Sequence, residues 1–185
     1  MLQTMMTMDG NFLVWIQEHI RNVWLTPFFM FVTTLGNGGF IWIAISLGLL
    51  VNRKTRKIGA LSLIALAGSV LIDNVILKNV IARVRPYEVI PGLTSLIGAQ
   101  TDYSFPSGQT GSSFASAVVL FCGLPKKYGV PALVLAALIG VSRLYVGVHY
   151  LSDVIGGAVI GTGIALITYW IGIQYIEWKV RERCL

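Results

Sequence analysis

The chain has 185 residues, 55% of them hydrophobic and only 12% charged, with 14 Lys+Arg against 8 Asp+Glu for a formal net charge of +6. Its mean hydropathy is +0.74, so composition excludes a disordered chain and argues against a soluble globule, in which about a quarter of residues are charged. The length fits one domain, and because the positive charges cluster between apolar runs they read as membrane topology signals rather than as a nucleic-acid surface.

From Met8 to Val23, Phe12, Leu13, Trp15, Ile16, Ile20 and Val23 recur at helical spacing, with Gln17, Glu18, His19 and Arg21 on the polar side. That pattern predicts a helix in the membrane interface. Trp24 to Leu35 reads as a first apolar span, broken by Gly36-Asn37-Gly38-Gly39, and Phe40 to Val51 as a second. The basic cluster Arg53, Lys54, Arg56 and Lys57 follows, then a third span from Ile58 to Leu77 that contains Asp73 and Asn74. Residues 79 to 108 are the longest polar segment. Thr110–Leu124, Val130–Val148 and Asp153–Ile173 read as spans four to six, and Lys179, Arg181 and Arg183 end the chain. The expected fold is all-α: a polytopic bundle of about six transmembrane helices with an N-terminal interfacial helix. The glycines Gly156, Gly157, Gly161 and Gly163 predict close helix packing. Trp15, Trp24, Trp42, Trp170 and Trp178 fall near span ends and read as interface anchors. The two cysteines, Cys122 and Cys184, fit neither a disulfide framework nor a metal motif, and the first 30 residues carry no cleaved-signal pattern.

Lys and Arg accumulate in short cytoplasmic loops. With residues 53 to 57 inside, alternation places Arg21, Lys126, Lys127 and the C-terminal cations inside as well, and both termini with them. Lys78, Arg83, Arg85 and Arg143 then fall at the opposite end, where the topology rule would not put them. Ionisable residues in such positions cost insertion energy and mark function.

Lys78 and Arg85 are seven residues apart, two turns or roughly 10.5 Å on a continuous helix, and would share a face. Ser104-Phe105-Pro106-Ser107-Gly108-Gln109-Thr110 opens the next helix, whose free N–H groups and dipole make an anion site. Arg143, His149 and Asp153 bracket another membrane exit at the same end. Arginine forks suit phosphate oxygens. Glu88 and Asp102, in the outer loop, read as solvated, with repulsion of a second phosphate or gating of entry as the alternative. Arg83 reads as a headgroup contact or a substrate contact, and Asp73 and Asn74 as a packing network with Lys78.

Lys78 with Arg85-Pro86, Ser104 to Gly108, and Ser142-Arg143 with His149 and Asp153 resemble the three-part signature of the type 2 phosphatidic acid phosphatase superfamily. The resemblance implies one integral membrane phosphatase domain over 1–185, in a bacterial inner membrane with its active site on the extracytoplasmic side. It implies a lipid phosphate or diphosphate as substrate, such as undecaprenyl diphosphate, phosphatidylglycerophosphate or phosphatidic acid. His149 would be the nucleophile that forms a phosphohistidine, with Asp153 orienting it. Lys78, Arg85, Ser107, the Gly108 N–H and Arg143 would bind the phosphoryl oxygens, with no metal or other cofactor and no nucleic-acid partner. The family's second motif ends in a histidine that serves as general acid, and this chain has Gln109 there. An amide cannot deliver a proton, so the resemblance implies impaired turnover, whether the glutamine was introduced or is natural; the alternative is a non-catalytic phospholipid-binding relative.

Overall fold

A computed structural model of the chain describes residues 2–182, with side chains described over 7–175. Among the described residues it is all-helical. The first helix, α1 (Leu2–Trp15), runs on through a wider turn over Ile16–Ile20. The second, α2 (Leu25–Leu35), meets α3 (Phe40–Val51) across a single tight turn at Asn37–Gly39. Gly38 and Gly39 take φ of 57° and 67° there, a left-handed backbone that glycine adopts without a Cβ clash. That turn bends the chain by 49° and does not reverse it.

The bend corrects the expected span count. The start of α2 lies beside the end of α8, where the Thr26 and Tyr145 hydroxyls meet at 2.9 Å. The end of α3 packs at the opposite end of the bundle, where a Cβ on Gly59 of α4 would lie 2.6 Å from the Ser46 carbonyl. Helices α2 and α3 therefore count as one bent pair, long and apolar enough for a single span only when taken together. α2 is 11 residues long and α3 is 12, whereas a straight span needs about 20. The stretch Arg56–Val89 and the helices Lys126–Tyr145 and Leu151–Tyr175 are each long and apolar enough to cross a membrane, and the bent pair makes a fourth.

After α4 (Arg56–Ser69) the helix widens to π geometry over Val70–Leu77 and closes with the short α5 (Lys78–Ile81). A brief α6 (Pro86–Val89) precedes a loop, followed by α7 (Gly108–Gly123), α8 (Lys126–Tyr145) and α9 (Leu151–Glu182). The 16-residue α7 packs against α4, α8 and α9. Its small residues, including Gly111, Ser113, Ala115, Ser116 and Ala117, are buried. They allow backbones to approach: a Cβ on Gly161 of α9 would run into the Gly111 carbonyl, and one on Gly157 would lie 2.6 Å from the Ser107 carbonyl. A Cβ on Gly163, by contrast, would meet nothing.

Trp42 is a second correction. It is wholly buried and donates to Ser113 Oγ at 2.9 Å, so it belongs to the core rather than to an interface belt. Trp15, Trp24 and Trp170 are exposed as expected. Trp178, Cys184 and the cations Lys179, Arg181 and Arg183 lie outside the described side chains.

Candidate active site

Lys78 opens the last helical turn before Ala82, whose left-handed φ of 48° ends the helix at Ile81. Arg85 follows in extended backbone, and Pro86 occupies the first turn of α6. The pair therefore does not share a face of one continuous helix, as the spacing had implied. What unites it is Asp102, in the loop before α7. The Asp102 carboxylate accepts from Lys78 Nζ and, at 2.5 Å, from Arg85 Nη2, while Arg85 Nε donates to the Asp102 carbonyl at 2.8 Å. Burial alone would raise this carboxyl, but the Lys78 hydrogen bond and the charges of Lys78 and Arg85 outweigh it and hold it down to about 2. Asp102, expected to be solvated, is the anion that closes the cation pair.

His149 lies in the turn between α8 and α9, just before α9 begins. Its Nε2 is 3.5 Å from Arg85 Nη1, and its Nδ1 is 3.5 Å from Asp153 Oδ2, a long contact. The contact is long because Asp153 has stronger commitments: Oδ2 accepts from Ser104 Oγ at 2.5 Å and from the Tyr150 N–H at 2.9 Å, and Oδ1 accepts from Arg83 Nη1 at 2.6 Å. Arg83 thus faces inward onto Asp153 and onto Asp9 of α1, at 3.0 Å, and not toward headgroups. Burial pushes the His149 imidazole down, the Arg143 and Arg85 charges add to that, Asp153 opposes, and the result is about 4. At neutral pH the ring is uncharged and one nitrogen keeps its lone pair.

At the start of α7, Ser107 is the N-cap and its hydroxyl pairs with Thr110 Oγ1 at 2.9 Å. Gly108 abuts Asn74, whose amide a Cβ would strike. Gln109 donates from Nε2 to Asn37 Oδ1 at 2.7 Å, and its buried Oε1 has no partner among the described residues. Arg143, near the end of α8, donates to Thr33 Oγ1 at 2.5 Å, and its Nε has no partner.

Lys78, Arg85, Gly108, Gln109, Arg143 and His149 line one cavity of about 300 Å³, together with Asn74 and Asp102. Ser107 and Asp153 stand behind that lining. The cations Lys78, Arg85 and Arg143 are 4%, 3% and 2% exposed and face one carboxylate, Asp102, which leaves two positive charges in the cavity without an anion. Buried charge of that kind calls for a counter-anion, and two negative charges is the valence of a phosphate ester.

Asp9 and Asn37 are not marked by the sequence as parts of this site, and Asp102 reads there chiefly as a solvated loop residue. Ser104 opens the second motif segment, and Asp102 lies two residues before it, which is the signal the sequence offers for Asp102. Asp9 and Asn37 come from stretches distant in sequence, the amphipathic segment at the start and the glycine break. Arg21 is also at this end of the bundle, donating to the Tyr145 carbonyl at 2.8 Å and to the Thr94 carbonyl at 2.8 Å. The segment 9–22 consequently sits with the site and not with residues 53–57.

Among solved structures, a transmembrane PAP2 type phosphatidylglycerolphosphate phosphatase from Bacillus subtilis superposes with a TM-score of 0.76 at 29% identity, over 91% of this chain and 86% of that one. LpxE of Aquifex aeolicus gives a TM-score of 0.72 at 27% identity, over 83% of this chain and 90% of that one. An undecaprenyl-diphosphatase of Sulfolobus acidocaldarius is 34% identical over 129 residues, 70% of this chain and 62% of that relative. The bacitracin transport permease protein BcrC of Bacillus licheniformis is 37% identical, with 51% of this chain matching 46% of its length. This chain thus spans about half to three-fifths of the length of those two relatives. Phosphatidylglycerophosphatase B of Bacillus subtilis is 34% identical over 77% of this chain and 72% of that protein. The profile of the PAP2 superfamily matches residues 58–176, which include Lys78, Arg85, Arg143 and His149, and the chain is a multi-pass membrane protein of that superfamily.

Proposed function

We propose that this protein is a phosphatase acting on a lipid phosphate or diphosphate through a phosphohistidine on His149. The observation that carries the reading is the shared cavity of Lys78, Arg85, Arg143 and His149, with its uncompensated positive charge. The relatives named for undecaprenyl diphosphate and phosphatidylglycerophosphate support that substrate class.

In this mechanism the neutral His149 attacks phosphorus with its Nε2 lone pair, while the tautomer protonated at Nδ1 aims that proton at Asp153 Oδ2. The bond between phosphorus and the leaving oxygen breaks with its electron pair on that oxygen. Water then attacks the phosphohistidine, the P–N bond returns its pair to Nε2, and inorganic phosphate leaves. Lys78, Arg85, Arg143 and the Gly108 N–H stabilise the phosphoryl oxygens as charge develops, with the Ser107 hydroxyl helping if it turns from Thr110. Incoming phosphate displaces Asp102 from the two cations it bridges. Gln109 donates only an amide N–H to the leaving oxygen. Absence of a general acid costs on the order of 10²–10⁴ in rate for an alkoxide, and less for a leaving phosphate. The impairment is therefore smallest for a diphosphate.

We place the site at the extracytoplasmic face of a bacterial inner membrane, because Arg53, Lys54, Arg56, Lys57, Lys126 and Lys127 crowd the opposite end. In this reading the bent α2–α3 pair, α4, α7, α8 and α9 cross the bilayer and α1 lies in the interface beside the site. The deciding experiment compares phosphate release from undecaprenyl diphosphate and phosphatidic acid by this chain, Gln109→His and His149→Ala. Gln109→His is the fastest, above all on phosphatidic acid, and His149→Ala is silent; equal rates for all three defeat the proposal.

A further inference from the structure

Asp153 carries a denser set of contacts than orienting one imidazole requires. Its Oδ1 accepts from Arg83 Nη1 at 2.6 Å, and the same Nη1 donates to Ser152 Oγ at 2.6 Å. Arg83 Nη2 donates to Asp9 Oδ2 at 3.0 Å, and the guanidinium carbon stands 3.7 Å from the centre of the Tyr150 ring. Asp9 in turn accepts from the Ser152 hydroxyl, and from the Ser152 N–H at 3.3 Å. The Arg83 and Asp9 side chains are 16% and 12% exposed. Neither lines the phosphate cavity. Arg83 is therefore placed to act on the carboxylate behind the nucleophile and not on a bound phosphate.

We propose that Arg83, held by Asp9 of α1, is a positioning residue that fixes the Asp153 carboxylate against His149 and so couples the N-terminal helix to the nucleophile. The inference rests on the phosphohistidine reading. A planar fork grips two carboxylates from different helices at once, Asp9 and Asp153, which a lysine's single ammonium cannot reproduce in both directions. With Oδ1 on Arg83 and Oδ2 on Ser104 and the Tyr150 N–H, the carboxylate cannot rotate without breaking a bond. The oxygen that faces His149 Nδ1 is thereby held in one place. Arg83 also draws part of the Asp153 charge away from the imidazole.

The charged and titratable groups around His149 come from every neighbouring element. Arg85 and, behind it, Lys78 and Asp102 lie on one side, Arg143 reaches in from α8, and Asp153 stands on α9. Arg83, Tyr150 and Asp9 lie behind Asp153. Removing the Arg83 cation while keeping the others leaves Asp153 free to stabilise protonated His149. The pH at which activity fails on the acid side must then rise.

The test measures phosphate release from farnesyl diphosphate and phosphatidic acid in detergent by Arg83→Gln, Arg83→Lys, Asp9→Asn, Asp9→Glu, the double variant Arg83→Gln/Asp9→Asn and His149→Ala, with thermal midpoints alongside. Arg83→Gln is expected to lose roughly tenfold or more in kcat with KM within about twofold, and to move the acid limb upward by about half a pH unit or more. Arg83→Lys restores little of the kcat. Asp9→Asn loses several-fold in kcat, Asp9→Glu recovers part of it, and the double variant is no worse than Arg83→Gln, because the two act as one unit. Unchanged kcat and acid limb in Arg83→Gln beside a silent His149→Ala would overturn this inference alone. Independent, additive losses, or a KM effect without movement of the limb, would also overturn it. A fully active His149→Ala would overturn the mechanism beneath it. If Arg83→Gln does not fold, the Asp9→Asn loss and its recovery by Asp9→Glu decide: no loss in kcat means no coupling.

Discussion

The Asp102 carboxylate meets the Arg85 guanidinium at 2.5 Å while also accepting from Lys78, so one loop residue occupies two of the cations that would grip a phosphate. Replacing it with asparagine leaves both cations buried without their anion. Asp102→Asn is expected to lower the thermal midpoint in phosphate-free detergent buffer by several degrees, given about 2–4 °C per kcal/mol for a chain of this size. Millimolar inorganic phosphate should restore more of that loss than it adds to the parent protein. Equal shifts in both proteins would show that phosphate does not compete for this pair.

The same residue fixes an acid boundary. Its carboxyl is held to about 2, below the ordinary carboxylate value of 3.8, so its stabilisation is complete above 3.8 and is lost as pH falls toward 2. Asp102→Asn and the parent should differ in midpoint by a constant amount from pH 5 to pH 8. A difference that changes across that range would contradict the assignment.

His149 runs the other way. Its folded imidazole titrates at about 4 against 6.5 in the unfolded chain. Between those values the unfolded chain binds a proton that the folded protein refuses. Stability therefore falls as pH drops from 6.5 to about 4 and is independent of this group below that. The acid limb of kcat/KM should also lie near 4. Phosphate release measured from pH 3.5 to pH 8 tests this, and a limb centred near 6.5 would mean a solvated ring.

Gly161→Ala probes the seam between α7 and α9. A methyl there collides with the Gly111 carbonyl, which is backbone and cannot step aside. The expected cost is about 1–3 kcal/mol or more, read as early thermal aggregation in detergent. Gly163→Ala, whose Cβ meets nothing, is the matched control and should be neutral.

Thr101 lies in the loop before α7 and is exposed. Thr101→Cys, with Cys122 and Cys184 changed to serine, should react with an impermeant maleimide added to intact cells. Labelling only after lysis would put the site on the cytoplasmic side.

Periodicity and motif spacing make the later helices and the cavity-lining cations legible, because a 20-residue apolar run and a cation near a membrane exit are local signals. The bend at Gly36–Gly39 is not legible as a shallow one: glycines break a hydropathy pattern in the same way whether the chain turns by 49° or reverses. Trp42 went to the wrong environment because an aromatic near an apparent span end looks like an anchor until that end proves to be mid-bundle. Lys78 and Arg85 were paired for the wrong reason, since Ala82 ends the helix between them and Asp102 supplies the link. Asp9 and Asn37 reach the site from more than 70 positions away from their partners Arg83 and Gln109, a distance that no local pattern encodes.

The bare backbone contact of Gly157 and Gly161 with Ser107 and Gly111 welds two helices into a single plate. The Ser107 N–H, donating to the Asp153 carbonyl at 3.0 Å, pins the upper edge of that plate. The His149 ring and the turn that opens α7 ride on it together, so their separation is set during folding and does not wait for a guest. Any yielding needed to admit a larger ligand then falls to the opposite wall, where the glycine elbow and the widened coil of Val70–Leu77 line the cavity.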